Sequence, residues 1–288
     1  MALRHFFHSW LRHRAQEKLR EKAAEAFRAG RQAEGAGREG FACQVAVVFA
    51  LGIEAGGLRD RLSEEFSLRG RHFVARFGRL GPRRLVVVES GPGPGAAAEA
   101  SRAIIAAHQP QWIVAAGFAG ALSAELRRFD VVMANSVMDS SGNRLAIDVK
   151  VDPGAEDSSA GFWVGRLLSV DHVVRRPEAK RHLARQYGAL AVDMESYAVA
   201  QVCHTHRVRY LAIRVITDLA DEELPADVQR LLNQASGAAR LGAAVGALWR
   251  RPGSAKDMLR LREHAIVASD RLAGFLASAL NQLGPPAQ

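Results

Sequence analysis

Short apolar runs recur along this chain and alternate with stretches of helical period. Residues 44–50, 73–77, 84–89, 112–116, 131–134, 166–170, 189–192 and 209–216 read as strands, because apolar side chains run together or skip one position there. Residues 96–108 and 194–204 carry the wider helical spacing. After residue 218 the pattern is largely helical, with a break at Arg251-Pro252-Gly253. Residues 135–161 are polar and Gly-rich, which predicts a long excursion over the molecule. Strands alternating with helices argue for an α/β fold, with a mixed or mostly parallel sheet covered by helices.

The N-terminal segment follows another pattern. Leu3, Phe6, Phe7, Trp10 and Leu11 fall on one face of a helix over residues 1–30, and Arg, Lys and His crowd the other. Such a basic amphipathic helix fits an anionic membrane surface, and equally a packed position on the domain or on a second subunit. A Gly/Ala-rich linker follows at 29–40. The chain therefore divides into 1–40, helix and linker; 41–222, an α/β domain; and 223–288, a helical extension.

Composition narrows the class. The 288 residues suffice for one large α/β domain with extensions. No apolar run is long enough to span a bilayer, and the N-terminus lacks the build of a secretory signal. Cys43 and Cys203 stand far apart, which points to reduced thiols and a cytoplasmic protein. The net charge is +9, and residues 1–40 hold nine Lys/Arg against five Glu, so that segment carries nearly half the excess. The body is only mildly basic and has no nucleic-acid-binding module. His72, His108, His172 and His264 do not make a metal-ligand spacing.

Candidate chemistry sits on carboxylates. Glu54 follows the first strand, Asp193 and Glu195 follow the strand at 189–192, and Asp218 ends the strand at 209–216. In open α/β sheets, ligands bind at the carboxyl ends of strands. Taken singly, Glu54 and Glu195 could merely begin helices, where the helix dipole favours an acid, and Asp218 could be a cap. Together they predict three strand-end carboxylates on one edge. The loop Gly91-x-Gly93-x-x-Ala96 loosely fits a dinucleotide fingerprint, but the next strand ends Ala115-Ala116-Gly117 without the required acid. A loop that lets a ligand approach the backbone, or a plain turn, fits better.

Val192-Asp193-Met194-Glu195-Ser196, followed by Arg214-Val215-Ile216-Thr217-Asp218, resembles the signature of the nucleoside phosphorylase superfamily. The closest pattern is that of its 5′-methylthioadenosine/S-adenosylhomocysteine nucleosidase branch, V-E-M-E-A and then R-A-I-S-D. Ala50-Leu51-Gly52-Ile53-Glu54, Ser90-Gly91-Pro92-Gly93, residues 116–122 and Phe129-Asp130-Val131-Val132 match further motifs in the same order. The resemblance covers roughly residues 44–220 and implies a three-layer α/β/α fold with a mixed central sheet.

It also implies roles. Asp218 would be the acid that protonates N7 of a departing purine, and Glu54 the base that activates water. Glu195 would bind the ribose hydroxyls and Met194 would pack on the sugar, with Asp193 beside them. Val173 and His172 would lie by the purine, and Gly117 and Phe118 near the water and sugar. No cofactor or metal is implied, and phosphate only for a phosphorolytic reaction. Relatives form dimers or larger rings, so a homo-oligomer is implied as well. This logic is that of an inverting glycosidase, with one carboxyl on each side of the scissile bond.

Some positions depart from the branch. Phe118 replaces a small polar residue, Val173 an aromatic, Asp193 a Glu, and Gly56-Gly57 bulkier residues. These changes argue against a plain methylthioadenosine enzyme, and the Val192-Asp193-Met194-Glu195-Ser196 core, Leu224-Pro225 and Arg251-Pro252 resemble the hopanoid-associated subgroup, which implies an adenosylated lipid as substrate and a peripheral place at the inner face of the membrane. A phosphorylase, and a non-catalytic nucleoside-binding or membrane-associated relative, are the rival readings.

Overall fold

The computed structural model describes residues 43–70, 72–147, 160–225 and 255–283. The segment 1–30, the 29–40 linker, residues 148–159 of the excursion and the break at 251–253 lie outside the described residues.

The chain runs β1 (Val45–Phe49), α1 (Gly52–Arg59), β2 (Ser63–Arg69), β3 (Val74–Leu80), β4 (Arg83–Glu89), α2 (Pro94–His108) and β5 (Trp112–Ala121). It continues with β6 (Val131–Asp139), β7 (Arg144–Ala146), β8 (Phe162–Ser169), α3 (Pro177–Tyr187), β9 (Ala191–Asp193), α4 (Ser196–His206), β10 (Arg209–Asp218) and α5 (Ala255–Gln282). Proline opens α2 and α3, where the missing N–H costs nothing, and Gly188 ends α3 in the left-handed conformation.

Among the described residues, all the strands belong to one mixed sheet of ten. β1 lies between β4 and β5, and β10 lies beside β5, all parallel. β6, β8 and β9 run the other way, and β9 returns to pair antiparallel with β5. The strands β5, β10, β6, β8 and β9 thus close a ring, and β1, β4, β3 and β2 extend from it as an open sheet. β1 shows why its sequence is continuously apolar. Val45, Val47 and Phe49 face one core layer, and Ala46 and Val48 face another. Helices α1 and α5 cover the first layer, while α2 and α4 cover the second.

Several elements differ from the sequence reading. β2 (SEEFSLR) is too polar to be recognised as a strand, and it survives because it pairs on one side only, with β3. β6 runs on to Asp139 and pairs with β7, so the start of the supposed excursion is sheet. Helix α3 escapes the pattern because Lys180 is its only buried residue.

α5 packs on α1 and β10. Ala268, Leu272, Leu276 and Leu280, four residues apart, are fully buried in the main core. Burying each leucine contributes ~1.5–3 kcal/mol. The close approach explains Gly57: a Cβ there would stand 2.7 Å from the backbone oxygen of Ser269.

Candidate functional site

The site is built on β5. Its segment Gly117-Phe118-Ala119-Gly120 pairs with β10, so that Arg214 lies opposite Gly117 and Asp218 opposite Gly120. The register slips at Thr217, a bulge that re-aims Asp218.

Glu54 lies in the first turn of α1 and is 6% exposed. Its Oε1 accepts the backbone N–H of Phe118 at 2.9 Å, and its Oε2 that of Leu51 at 2.8 Å. A Cβ at Gly117 would stand 2.8 Å from Oε1, so only glycine leaves this carboxylate its place. Burial pushes the Glu54 carboxyl above the ordinary 4.5, against those N–H groups and the Arg214 charge.

Glu195 precedes α4 and does not cap it with its side chain. Instead Oε1 accepts the N–H of Gly93, in the Gly-Pro loop, at 2.7 Å. Burial, then the nearby Asp193 charge, push its carboxyl up to about 7, with Glu54 adding to the shift and Arg214 opposing it. Glu54, Glu195 and Arg214 line one cavity with Ser90, Ala116 and Val199.

Arg214 organises this side of the site. It is 2% exposed; its Nε donates to Asp193 Oδ2 at 2.7 Å and its Nη2 to Ser196 Oγ at 2.9 Å. Ser169 Oγ donates to Asp193 Oδ1 at 2.5 Å, and the N–H of Ser196 completes the set. The sequence reading puts Asp193 among the substrate-binding residues. The structure puts it behind Arg214, with both oxygens occupied.

Asp218 is 7% exposed and does not line the cavity of Glu54 and Glu195. It lies against Gly120, whose Cβ would stand 2.7 Å from Oδ2. The Lys180 ammonium donates to Oδ2 at 2.6 Å, and Thr217 Oγ1 donates to Oδ1 at 3.2 Å.

The remaining candidates are less engaged. Met194 and Val173 are half-buried. His172 is exposed and pairs with Asp171 at 2.7 Å. The Phe118 ring packs against the main core while its N–H holds Glu54. The expected common edge is also modified: β9 runs antiparallel to β5, so Glu195 enters from the opposite strand direction. Sequence reasoning gave no role to Lys180, Ser169 or Glu89. For Lys180 the only signal is a lysine whose helical neighbours face the fold.

Glu89 lies at the end of β4, 8% exposed. Arg76 Nε donates to it at 2.9 Å and Arg59 at 3.4 Å. Arg61 donates to the carbonyl of Gly57 and lies 3.8 Å from Asp270.

A ring-closed sheet that brings acids from α1, the β9–α4 junction and β10 around one glycine-bearing strand is a specific arrangement. The family model described as the phosphorylase superfamily matches residues 44–245. The chain belongs to the phosphorylase superfamily. Within it, the 5′-methylthioadenosine/S-adenosylhomocysteine nucleosidase of Staphylococcus haemolyticus is 24% identical over 213 residues, covering 67% of this chain and 93% of that one. A crystal structure of the Helicobacter pylori enzyme of the same name, complexed with a substituted pyrrolidin-3-ol, superposes with a TM-score of 0.62 at 19% identity, over 85% of this chain and all of that one. The futalosine hydrolase of Helicobacter pylori matches with a TM-score of 0.60 at 18% identity, over 84% of this chain and 100% of that one. The superfamily fold is thus shared with proteins named for different nucleosides.

Proposed function

We propose that this protein is a purine nucleosidase that hydrolyses the N-glycosidic bond of a 5′-modified adenosine. The observation that carries this reading is the placement of Glu54 and Asp218 against Gly117 and Gly120, two positions on the same strand. Three residues of strand span about 10 Å. An inverting hydrolysis requires its base and its acid to stand apart by a spacing of that order, so that a ribosyl C1′ and a water fit between them.

In this reading Glu54 takes a proton from water as the water oxygen bonds to C1′. The C1′–N9 bond breaks, its electron pair passes to the base, and Asp218 delivers a proton to N7. Burial raises the Glu54 carboxyl toward working pH, which suits a general base. Glu195 accepts hydrogen bonds from the ribose hydroxyls, and Met194 packs on the sugar. Each acid or base group contributes on the order of 10²–10⁴ in rate.

Water is preferred to phosphate because the arginines near the Gly-Pro loop are engaged. Arg59 and Arg76 both pair with the Glu89 carboxylate, which offsets their charge toward an anion. The 5′ group is a methylthio or homocysteinyl group, as the names of the relatives point to, or a lipid, as the spacing of apolar residues in the sequence of residues 1–30 points to.

The test is release of free base from adenosine, methylthioadenosine, S-adenosylhomocysteine, futalosine and an adenosine with a long apolar 5′ chain, with and without phosphate. Release in phosphate-free buffer is expected, and the preferred nucleoside names the 5′ group. Release only with phosphate would convert the reading to a phosphorylase. No release from any of them, with binding retained, would make the protein a nucleoside-binding relative.

A further inference from the structure

Lys180 is wholly buried on a helix that is otherwise mostly exposed. Its Nζ donates to three acceptors: Asp218 Oδ2 at 2.6 Å, the Leu219 carbonyl at 2.5 Å and the Glu222 carbonyl at 3.0 Å. Three acceptors require three N–H donors, which an ammonium has and a neutral amine lacks. The Asp218 carboxyl and the two carbonyls give each of these buried donors an acceptor.

One consequence concerns the proton on Asp218. With Oδ2 held by the ammonium, a proton on this carboxyl can reside only on Oδ1. Thr217 Oγ1 is the neighbour of Oδ1 in the structure, and a hydroxyl reverses its role freely when that oxygen carries hydrogen. The same lysine ties the turn after β10 to α3 and so holds Oδ2 in place. The turn is braced again by Glu222, whose Oε2 accepts from the Leu219 N–H at 3.1 Å and pairs with Arg128.

We propose that Lys180 is a positioning residue for leaving-group protonation: it reserves one oxygen of Asp218 and thereby presents the acid proton on the other. This rests on the reading of Asp218 as the acid at N7. In the reaction the Oδ1 proton passes to N7 as the C1′–N9 bond breaks. Lys180 keeps its own protons throughout and stabilises the carboxylate that remains.

The experiment compares two substrates that share a sugar. Methylthioadenosine needs protonation of its base, whereas a 4-nitrophenyl 5-methylthioriboside has a leaving group that departs as a stable anion. Lys180→Met is expected to lower kcat for methylthioadenosine ~10- to 100-fold, less than loss of the acid itself, and to leave aryl riboside cleavage within a few-fold of wild type. Lys180→Gln, which keeps two donors without the charge, is expected to lie between wild type and Lys180→Met. It also serves if the methionine variant does not fold, with folding checked by thermal melting. Asp218→Asn is the reference for selective loss. Equal loss on both substrates in the lysine variants would reduce Lys180 to a structural pin and overturn the proposal, while leaving the nucleosidase reading intact. Failure of the wild-type protein to release base from any nucleoside of the preceding assay would instead remove that reading, and the proposal with it.

Discussion

The hydroxyl of Ser269, on the last helix, donates to the backbone carbonyl of Glu54 at 3.1 Å and accepts the N–H of Gly57 at 2.8 Å. α5 therefore fixes the helix that carries the proposed base. The contact exists because Gly57 has no side chain to hold the helices apart. Gly57→Ala is expected to destabilise the protein by ~1–3 kcal/mol, since backbone atoms must shift to admit the methyl group. Ser269→Ala should cost about 1 kcal/mol. Thermal or denaturant unfolding measures both, and a Gly57→Ala variant as stable as wild type would contradict this account of α5.

A different outcome is expected on β5. A Cβ at Gly117 meets the end of the Glu54 side chain, which can swing aside without moving backbone. Gly117→Ala should therefore fold with near-wild-type stability and lose activity, because the carboxylate leaves the N–H of Phe118. A loss on the order of 10²-fold in kcat, approaching that of Glu54→Gln, is the expected size. Retained activity would show that Glu54 does not act from this position.

The fold class was legible because the buried strands are continuous apolar runs, and a strand such as β1, with both faces covered, has nothing polar to obscure its pattern. The ring closure was not legible. It depends on β9, only three residues long, pairing at once with β8 and β5. Glu54, Asp218 and Glu195 could be singled out because each interrupts or ends an apolar run. Arg214 sits within its run and carries no local sign that it meets Asp193, twenty-one residues earlier. Lys180 was invisible for the complementary reason: in sequence it is one more cation on a charged helix, and only the turn after β10 makes it a buried one.

That Arg214–Asp193 pair sets up the next expectation. Both side chains are almost fully enclosed, at 3% and 1% exposure. Removing one partner leaves an uncompensated buried charge, so Asp193→Leu should lose ~3–5 kcal/mol. The double variant Arg214→Met/Asp193→Leu removes both charges and should recover much of that loss, while still disturbing Glu195 and Ser196. A double-mutant cycle in urea tests this. Additive losses would mean that the two residues act independently.

Glu195 provides the pH dependence. In the fold its carboxyl holds its proton up to about 7, whereas an unfolded glutamate releases it at the ordinary 4.5. Between those values the folded state keeps a proton that the unfolded chain has given up. The stability associated with this group is fully present below 4.5 and is lost as pH rises through 7. Glu195→Gln imitates the protonated acid at every pH and keeps an oxygen for the Gly93 N–H. Its stability relative to wild type should therefore be pH-independent below 4.5, rise between 4.5 and 7, and level off above. Unfolding free energies of the two proteins across that range give the curve directly, and a constant difference would show that Glu195 titrates as an ordinary glutamate. Activity should move the opposite way, because the amide has a single acceptor oxygen, already engaged by the Gly93 N–H, where a carboxylate has a second one for the ribose hydroxyls. The variant that gains stability above pH 7 is thus expected to raise KM for the nucleoside, placing Glu195 among the residues whose burial is tolerated for binding.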